Sequence, residues 1–358
     1  MRIDQYDWNL PDETLLRCHL GIQFQDETLR DGLQCPSVVD PPIEAKLEIL
    51  HLMARIGAHG ADLGLPGAGP RAQADVARLV REIVEQKLPI KPSAAGRTLA
   101  CDIDPIVDIA QDVGCVLEAD LFLGSSPVRQ YAEGWSIDQQ LRIVETAVKH
   151  AVDRGLEVMF VTEDTVRSHP HTLRRLYTVA IENGARRICL CDTVGHATPF
   201  GVTGLVRFIR NMVAEIGEPV KIDWHGHRDR GLDVAYSLAA IEAGVDRVHG
   251  TALGIGERVG NTPMELLMLN LKLAGVVDSD LSHLPDYVDA VHRHCQVALP
   301  PWWPALGRDA FSVLSESRQR IIQDALERGR LELAENTLGA VPPSLVGRQF
   351  ELSAEARQ

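Results

Sequence analysis

Residues 136–163 read SIDQQLRIVETAVKHAVDRGLEVMFVTE, and this stretch holds one complete helix-to-strand unit. Ser136, with Gln139 three residues on, has the form of a capping box, in which each side chain serves the other's free backbone N–H. Leu141, Val144, Val148, Ala151 and Val152 then share one face at helical spacing. Gly155 supplies a residue suited to a left-handed helix stop. The next six residues, Leu156-Glu157-Val158-Met159-Phe160-Val161, form a short apolar run, the pattern of a buried parallel strand.

Seven further runs of this kind stand at 21–26, 60–65, 90–95, 116–123, 187–191, 220–225 and 247–251. The run at 90–95 is the weakest, because Pro89 and Pro92 interrupt it. Amphipathic segments lie between the runs; one starts at Pro170 and stops at Asn183-Gly184. Eight β/α units predict an α/β fold, a TIM (β/α)8 barrel over 20–273. A doubly wound open sheet is the alternative. After Leu273 the rhythm changes. Pro300-Pro301-Trp302-Trp303-Pro304 is stiff and aromatic, 315–328 is a charged amphipathic helix, and 274–358 reads as a C-terminal lid extension.

Thirty-six Lys and Arg against fifty Asp and Glu give 358 residues a net charge of −14. That balance argues against nucleic acid or an anionic membrane as partner. No apolar run reaches the roughly 18 residues of a membrane span. The first twenty residues carry early acids and no apolar stretch, so they do not read as a secretory signal. Seven scattered cysteines without a C-x-x-C pair fit a reducing, cytoplasmic setting.

In a TIM barrel the chemistry sits where strands end. Here the strand ends carry Asp26-Glu27-Thr28-Leu29-Arg30-Asp31-Gly32, Thr162-Glu163-Asp164, Asp192-Thr193-Val194-Gly195-His196 and His225-Gly226-His227. His225 and His227, two apart on a strand, point to one face. With Asp31 from another strand they make a facial site for a divalent cation, and Arg30 is left to hold a polarised oxygen. The alternative is a pair of strand-end histidines without a metal. Gly254 to Gly260 reads G-x-G-x-x-x-G after the last strand, which is not a dinucleotide fingerprint. Asn261 beside it offers a neutral oxygen. Cys189 and Cys191 read as buried strand residues, and Trp302 and Trp303 as packing of the extension.

These motifs, in this order, resemble the DRE-TIM metallolyase superfamily, and within it the 2-isopropylmalate, homocitrate and citramalate synthases. Glu163-Asp164-Thr165-Val166-Arg167 is similar to their fifth-strand motif. The resemblance runs from about residue 24 to 348. It implies a divalent cation (Mg, Mn or Zn) on Asp31, His225 and His227, with Asn261 beside it. It further implies a 2-oxo acid substrate, acetyl-CoA as co-substrate, Arg30 on the developing alkoxide, Glu163 near the reacting groups and Thr193 on the substrate carboxylate. Dimers in which one chain's extension covers the other's barrel are also implied. The alternative is an HMG-CoA lyase- or aldolase-like cleavage of a 2-oxo or 3-hydroxy acid; a third reading is a non-catalytic binder.

There are departures. Leu33 replaces the usual Glu, and Arg228 the usual Asn. The lid lacks its His, with Arg318 in its place as a contact for an anionic substrate or a CoA phosphate. Leu338 stands near a lost Tyr. His196 is then the candidate proton acceptor. The leucine-binding regulatory domain of longer isopropylmalate synthases is not expected in this chain.

Overall fold

The computed structural model describes residues 21–352. The reading of the first twenty residues, and the last six residues of the expected extension, lie outside the described residues. The strand β1 (Gln23–Asp26) pairs in parallel with the last barrel strand, β8 (Arg247–Gly250), from Gln23 opposite Arg247 to Asp26 opposite Gly250. That pairing closes the sheet and excludes the open doubly wound alternative. Between them come α1 (Ile43–Ile56), β2 (Gly60–Asp62), α2 (Pro70–Gln86), β3 (Lys91–Arg97), α3 (Ala100–Val113), β4 (Glu118–Gly124), α4 (Pro127–Glu133), α5 (Ile137–Asp153), β5 (Glu157–Glu163), α6 (Pro170–Glu182), β6 (Arg187–Asp192), α7 (Pro199–Ile216), β7 (Lys221–Gly226) and α8 (Asp233–Ala243). The eight strands follow one another around the barrel in chain order, the arrangement of a TIM barrel.

The sequence determines these elements locally. At α5 the capping box forms in both directions: Ser136 Oγ accepts from Gln139 N–H, and Gln139 Oε1 accepts from Ser136 N–H. Val144, Ala147, Val148 and Ala151 are buried against the barrel. Each buried valine contributes roughly 1.5–3 kcal/mol. The run at 90–95 does become β3, with Pro92 second in the strand, where the chain is entering the barrel.

The barrel interior is polar. Arg247 is 2% exposed and donates to Glu118 Oε1 at 2.6 Å and to Asp223. Arg187 donates to Asp223 Oδ1 at 2.6 Å, and Lys91 donates to Glu118. Lys91, Glu118, Arg187 and Arg247 open β3, β4, β6 and β8, so this network fills the end of the barrel where the strands begin. Buried ion pairs of this kind set which groups must meet; their net contribution to stability is small.

Beyond β8 come α9 (Met264–Leu273) and α10 (Leu284–His294). α10 packs on α1, and Tyr287 OH donates to Asp26 Oδ2 at the end of β1. Then follow β9 (Ser312–Val313), α11 (Glu316–Glu327), α12 (Leu331–Leu338) and β10 (Glu351–Leu352). β9 and β10 pair in parallel, and Val313, Ile322, Ala325 and Ala334 form a small separate core. Trp302 is exposed, whereas Trp303 Nε1 donates to Glu265 Oε1 at 3.0 Å and ties this region to α9.

Candidate active site and metal centre

The chain leaves β1 through a tight turn: Arg30 N–H and Gly32 N–H both donate to Glu27 C=O, at 3.1 and 2.9 Å. This turn directs Glu27, Arg30 and Asp31 into the barrel mouth. β7 delivers His225, and His227 follows one residue past its end. His227 is fixed by its backbone, whose N–H donates to Asp192 C=O at 3.1 Å while its carbonyl accepts from Tyr236 OH at 2.7 Å.

His225 Nε2 and His227 Nε2 lie 3.4 and 3.6 Å from Asp31 Oδ2, and 3.4 Å from each other. The centre of such a triangle is about 2 Å from each corner, the bond length of a divalent first-row cation to nitrogen or oxygen. All three residues are buried. Burial pulls the His227 imidazole down to about 4, which keeps it neutral and able to ligate. Burial raises the Asp31 carboxyl, but Arg30 and the histidines outweigh it and hold the group well below its usual range.

The loop after β8 completes the cradle. Glu257 N–H donates to Asp31 Oδ1 at 3.1 Å and so turns Oδ2 toward the histidines. Asn261 forms an isolated bridge with His227, and its buried Oδ1 has no hydrogen-bond partner. A Cβ on Gly256 would fall 2.1 Å from Asn261 Nδ2 and 2.8 Å from Asp31 Oδ1, so only glycine lets the backbone approach these groups. An orphaned neutral oxygen beside one carboxylate and two imidazoles fits a divalent cation.

Arg30 is held by three carboxylates: Asp62 at 2.9 Å, Asp31 at 3.2 Å, and Glu27. One guanidinium cannot neutralise all three. Burial and the neighbouring Glu27 push Asp62 up to about 7, against the pull of Arg30, while Glu27 stays well below its usual range. Glu27 also meets His249 Nδ1 at 2.8 Å, and His249 Nε2 meets Asp223 Oδ2 at 2.9 Å. Burial disfavours the charged form of His249, but these two carboxylates overcome it and raise the imidazole.

A cavity of about 210 Å³ opens above these groups. Arg30, Asp31, Glu163, Thr193, His225 and His227 all line it. Thr193 Oγ1 accepts from Asp164 N–H at 2.8 Å, and Arg129 lies 3.5 Å from Glu163. Neither His196 nor Arg318 is among the described residues that line this cavity. His196 is exposed on the loop after β6, its N–H donating to Asp192 Oδ1; Arg318 is exposed on α11. Glu27, Asp62, Asp120 and His249 line the cavity as well and were not picked out from the sequence. Their signal was present in the alternation: Glu118 and Asp120 recur at period two in an otherwise apolar strand, and Asp62 is the one charged residue of the run at 60–65.

Comparison with known proteins bears on the family and the fold. The sequence model of the HMGL-like family matches residues 21–291. A probable 2-isopropylmalate synthase of Methanopyrus kandleri is 33% identical over 294 residues, 81% of this chain and 56% of that protein. The homocitrate synthase of Sulfolobus acidocaldarius is 30% identical, over 82% of this chain and 61% of its own length. Homocitrate synthase AksA of Methanopyrus kandleri is 33% identical, over 85% of this chain and 72% of its own. The chain thus spans little more than half the length of the first two. Among solved structures, HMG-CoA lyase of Bacillus subtilis superposes with a TM-score of 0.64 at 21% identity, covering 78% of this chain and 96% of that one. An HMG-CoA lyase solved with coenzyme A and 3-methylmalate gives 0.64 at 19% identity, with 77% and 91% coverage. These two likenesses are of fold. By the family match and the synthase relatives, the chain belongs to the HMGL-like family of the DRE-TIM superfamily.

Proposed function

We propose that this chain is a divalent-metal-dependent acyltransferase that condenses an acyl-CoA, acetyl-CoA in the simplest case, with a 2-oxo acid. The observation that carries this reading is the triangle of Asp31, His225 and His227 beside Arg30 in the mouth of a closed barrel. The synthase relatives support it. Asp31, His225 and His227 would hold the cation, with Asn261 Oδ1 adjacent. Bound there, the cation polarises a carbonyl as a Lewis acid.

The chain's own residues supply the rest. Arg30, kept in place by Glu27 and Asp62, presents its guanidinium where negative charge develops on the carbonyl oxygen. Thr193 binds the 2-oxo acid carboxylate, and Glu163 orients the reacting groups from the end of β5. Exposed on the rim, His196 needs a closing movement or a second chain to accept a proton from the acyl donor. The same holds for Arg318 as an anion contact. The reading therefore includes a homodimer, with 20–273 as catalytic barrel and 274–358 as lid.

A cytoplasmic location belongs to the same reading. The six cysteines of the described residues are all free, and no helix among those residues is long and apolar enough to cross a membrane. Against the cleavage alternative, resemblance to the HMG-CoA lyase form would imply a cysteine in the glycine-rich loop, and the loop 254–260 has none.

The test is thiol release from acetyl-CoA against a panel of 2-oxo acids with Mg, Mn or Zn added. Release should require both a 2-oxo acid and a metal, and His227→Ala should lose bound metal and turnover together. Cleavage of a 3-hydroxy acid with no thiol release from any pairing would replace this reading with the lyase one.

A further inference from the structure

The cavity wall is mixed, and on β3, β4 and β5 it is apolar around one acid. β4 alternates: Ala119, Leu121 and Leu123 face the helices within the apolar core, while Glu118, Asp120 and Phe122 face the barrel axis. Glu118, at the bottom, is spent on Arg247 and Lys91. Asp120, one layer up, stands in register with Ala95 of β3 and Met159 of β5, which offer it no hydrogen bond. Ala95, Phe122, Met159 and Val161 line the same space. Asp120 is 3% exposed, and neither of its carboxyl oxygens has a hydrogen-bond partner. The Ser93 hydroxyl is close enough to draw the Asp120 carboxyl down against burial, but it accepts from Gln25 and donates to the Ala61 carbonyl at 3.4 Å, so it does not satisfy the acid.

A buried carboxyl left without a partner is costly. The alkyl side chain of an ordinary branched 2-oxo acid would leave that cost in place. A second carboxylate on the substrate fits no better, because the cations within reach are already held: Arg247 and Arg187 by Glu118 and Asp223, Arg30 by its three acids. What the pocket lacks is a small neutral group that can give and take one hydrogen bond amid apolar walls. We propose that Asp120 is a specificity-determining residue that binds a hydroxyl on the side chain of the 2-oxo acid, so that the substrate is a hydroxylated 2-oxo acid. Burial, with Glu118 and Asp62 nearby, pushes the Asp120 carboxyl well above its usual range, which suits a neutral partner.

This inference rests on the 2-oxo acid reading of the site, so its test separates the two. Matched 2-oxo acids ending in methyl, hydroxymethyl, aminomethyl and carboxyl groups are compared by kcat/KM for thiol release from acetyl-CoA. They are compared also by the rise in Tm that each produces with Mn present and no acyl-CoA. The wild type should favour the hydroxymethyl over the methyl compound by at least about tenfold. Asp120→Leu should reverse that order, whereas Asp120→Asn, which keeps polar atoms of the same shape, should retain it. The Asn variant also guards against misfolding as the cause. Preference for the aminomethyl or carboxyl compound would overturn the proposal, as would a methyl-to-hydroxymethyl ratio that Asp120→Leu leaves unchanged. If no compound supports thiol release, the acyl-transfer reading fails, and the Tm series still decides what Asp120 binds.

Discussion

Arg30 shows how much chemistry one side chain carries here. Its guanidinium touches a metal-side carboxylate, Asp31, and two supporting ones, Glu27 and Asp62. Arg30→Ala should lower kcat by at least about a hundredfold with the far-UV spectrum unchanged, as expected for a group that meets transition-state charge. Turnover close to wild type would remove it from the mechanism. Glu265 is the residue to watch with pH. Burial pushes it up to about 7, although Trp303 and Leu253 N–H donate to it. A carboxyl raised in the folded state stabilises below its unfolded value of about 4.5, and that contribution is lost as pH rises through 7. Glu265→Gln removes this loss. The Tm difference, variant minus wild type, should therefore grow more positive between pH 5 and pH 8 in thermal melts.

Elements were the scale at which the sequence was most legible. Runs of apolar residues at spacing two and faces at spacing three to four are local signals, and all eight barrel strands formed within three residues of the bounds of the runs that announced them. The helix α4 was missed; it is one short element with no buried residue, so it carries no apolar face to read. Site residues divided along the same line. Asp31, His225 and His227 stand at strand ends in recognisable motifs. Glu27 and His249 meet across 222 residues of chain, a contact that closure of β1 against β8 creates and that no window of sequence contains. The loop between β8 and α9 is likewise built by tertiary contact. Gly256→Ala would drive a methyl group against Asn261 and Asp31. It should weaken metal binding at least about tenfold in a titration, with the far-UV spectrum unchanged. Undiminished affinity would show that the loop does not shape the metal centre.

At the scale of the whole molecule, His196 and Arg318 are exposed and do not line the cavity over the Asp31, His225 and His227 triangle. α11 packs on α12 and β9, around a small core separate from that of the barrel. The proposed roles of these two residues therefore require a second chain or a closing movement to bring them over the mouth. If Arg318 then meets an anionic group, Arg318→Ala should raise KM for that substrate more than it lowers kcat, the pattern of uniform binding lost. Light scattering on the same variant should still give the mass of a dimer. Equal falls in kcat and kcat/KM would instead give Arg318 a part in the transition state. A strictly monomeric wild type that is fully active would end the crossover proposal.

The ion-pair network at the start of the strands has a further consequence. With Arg247, Asp223 and Glu118 filling that end, the barrel is a vessel with a single door. Whatever settles deepest has to enter first and leave last. Under the acyl-transfer proposal, the small acceptor acid would sit against Asp120 and Arg30 and would precede the bulky thioester. On the same proposal the freed thiol would depart before the new acid could follow it out, an order of steps imposed by the plugging of one end of a tube.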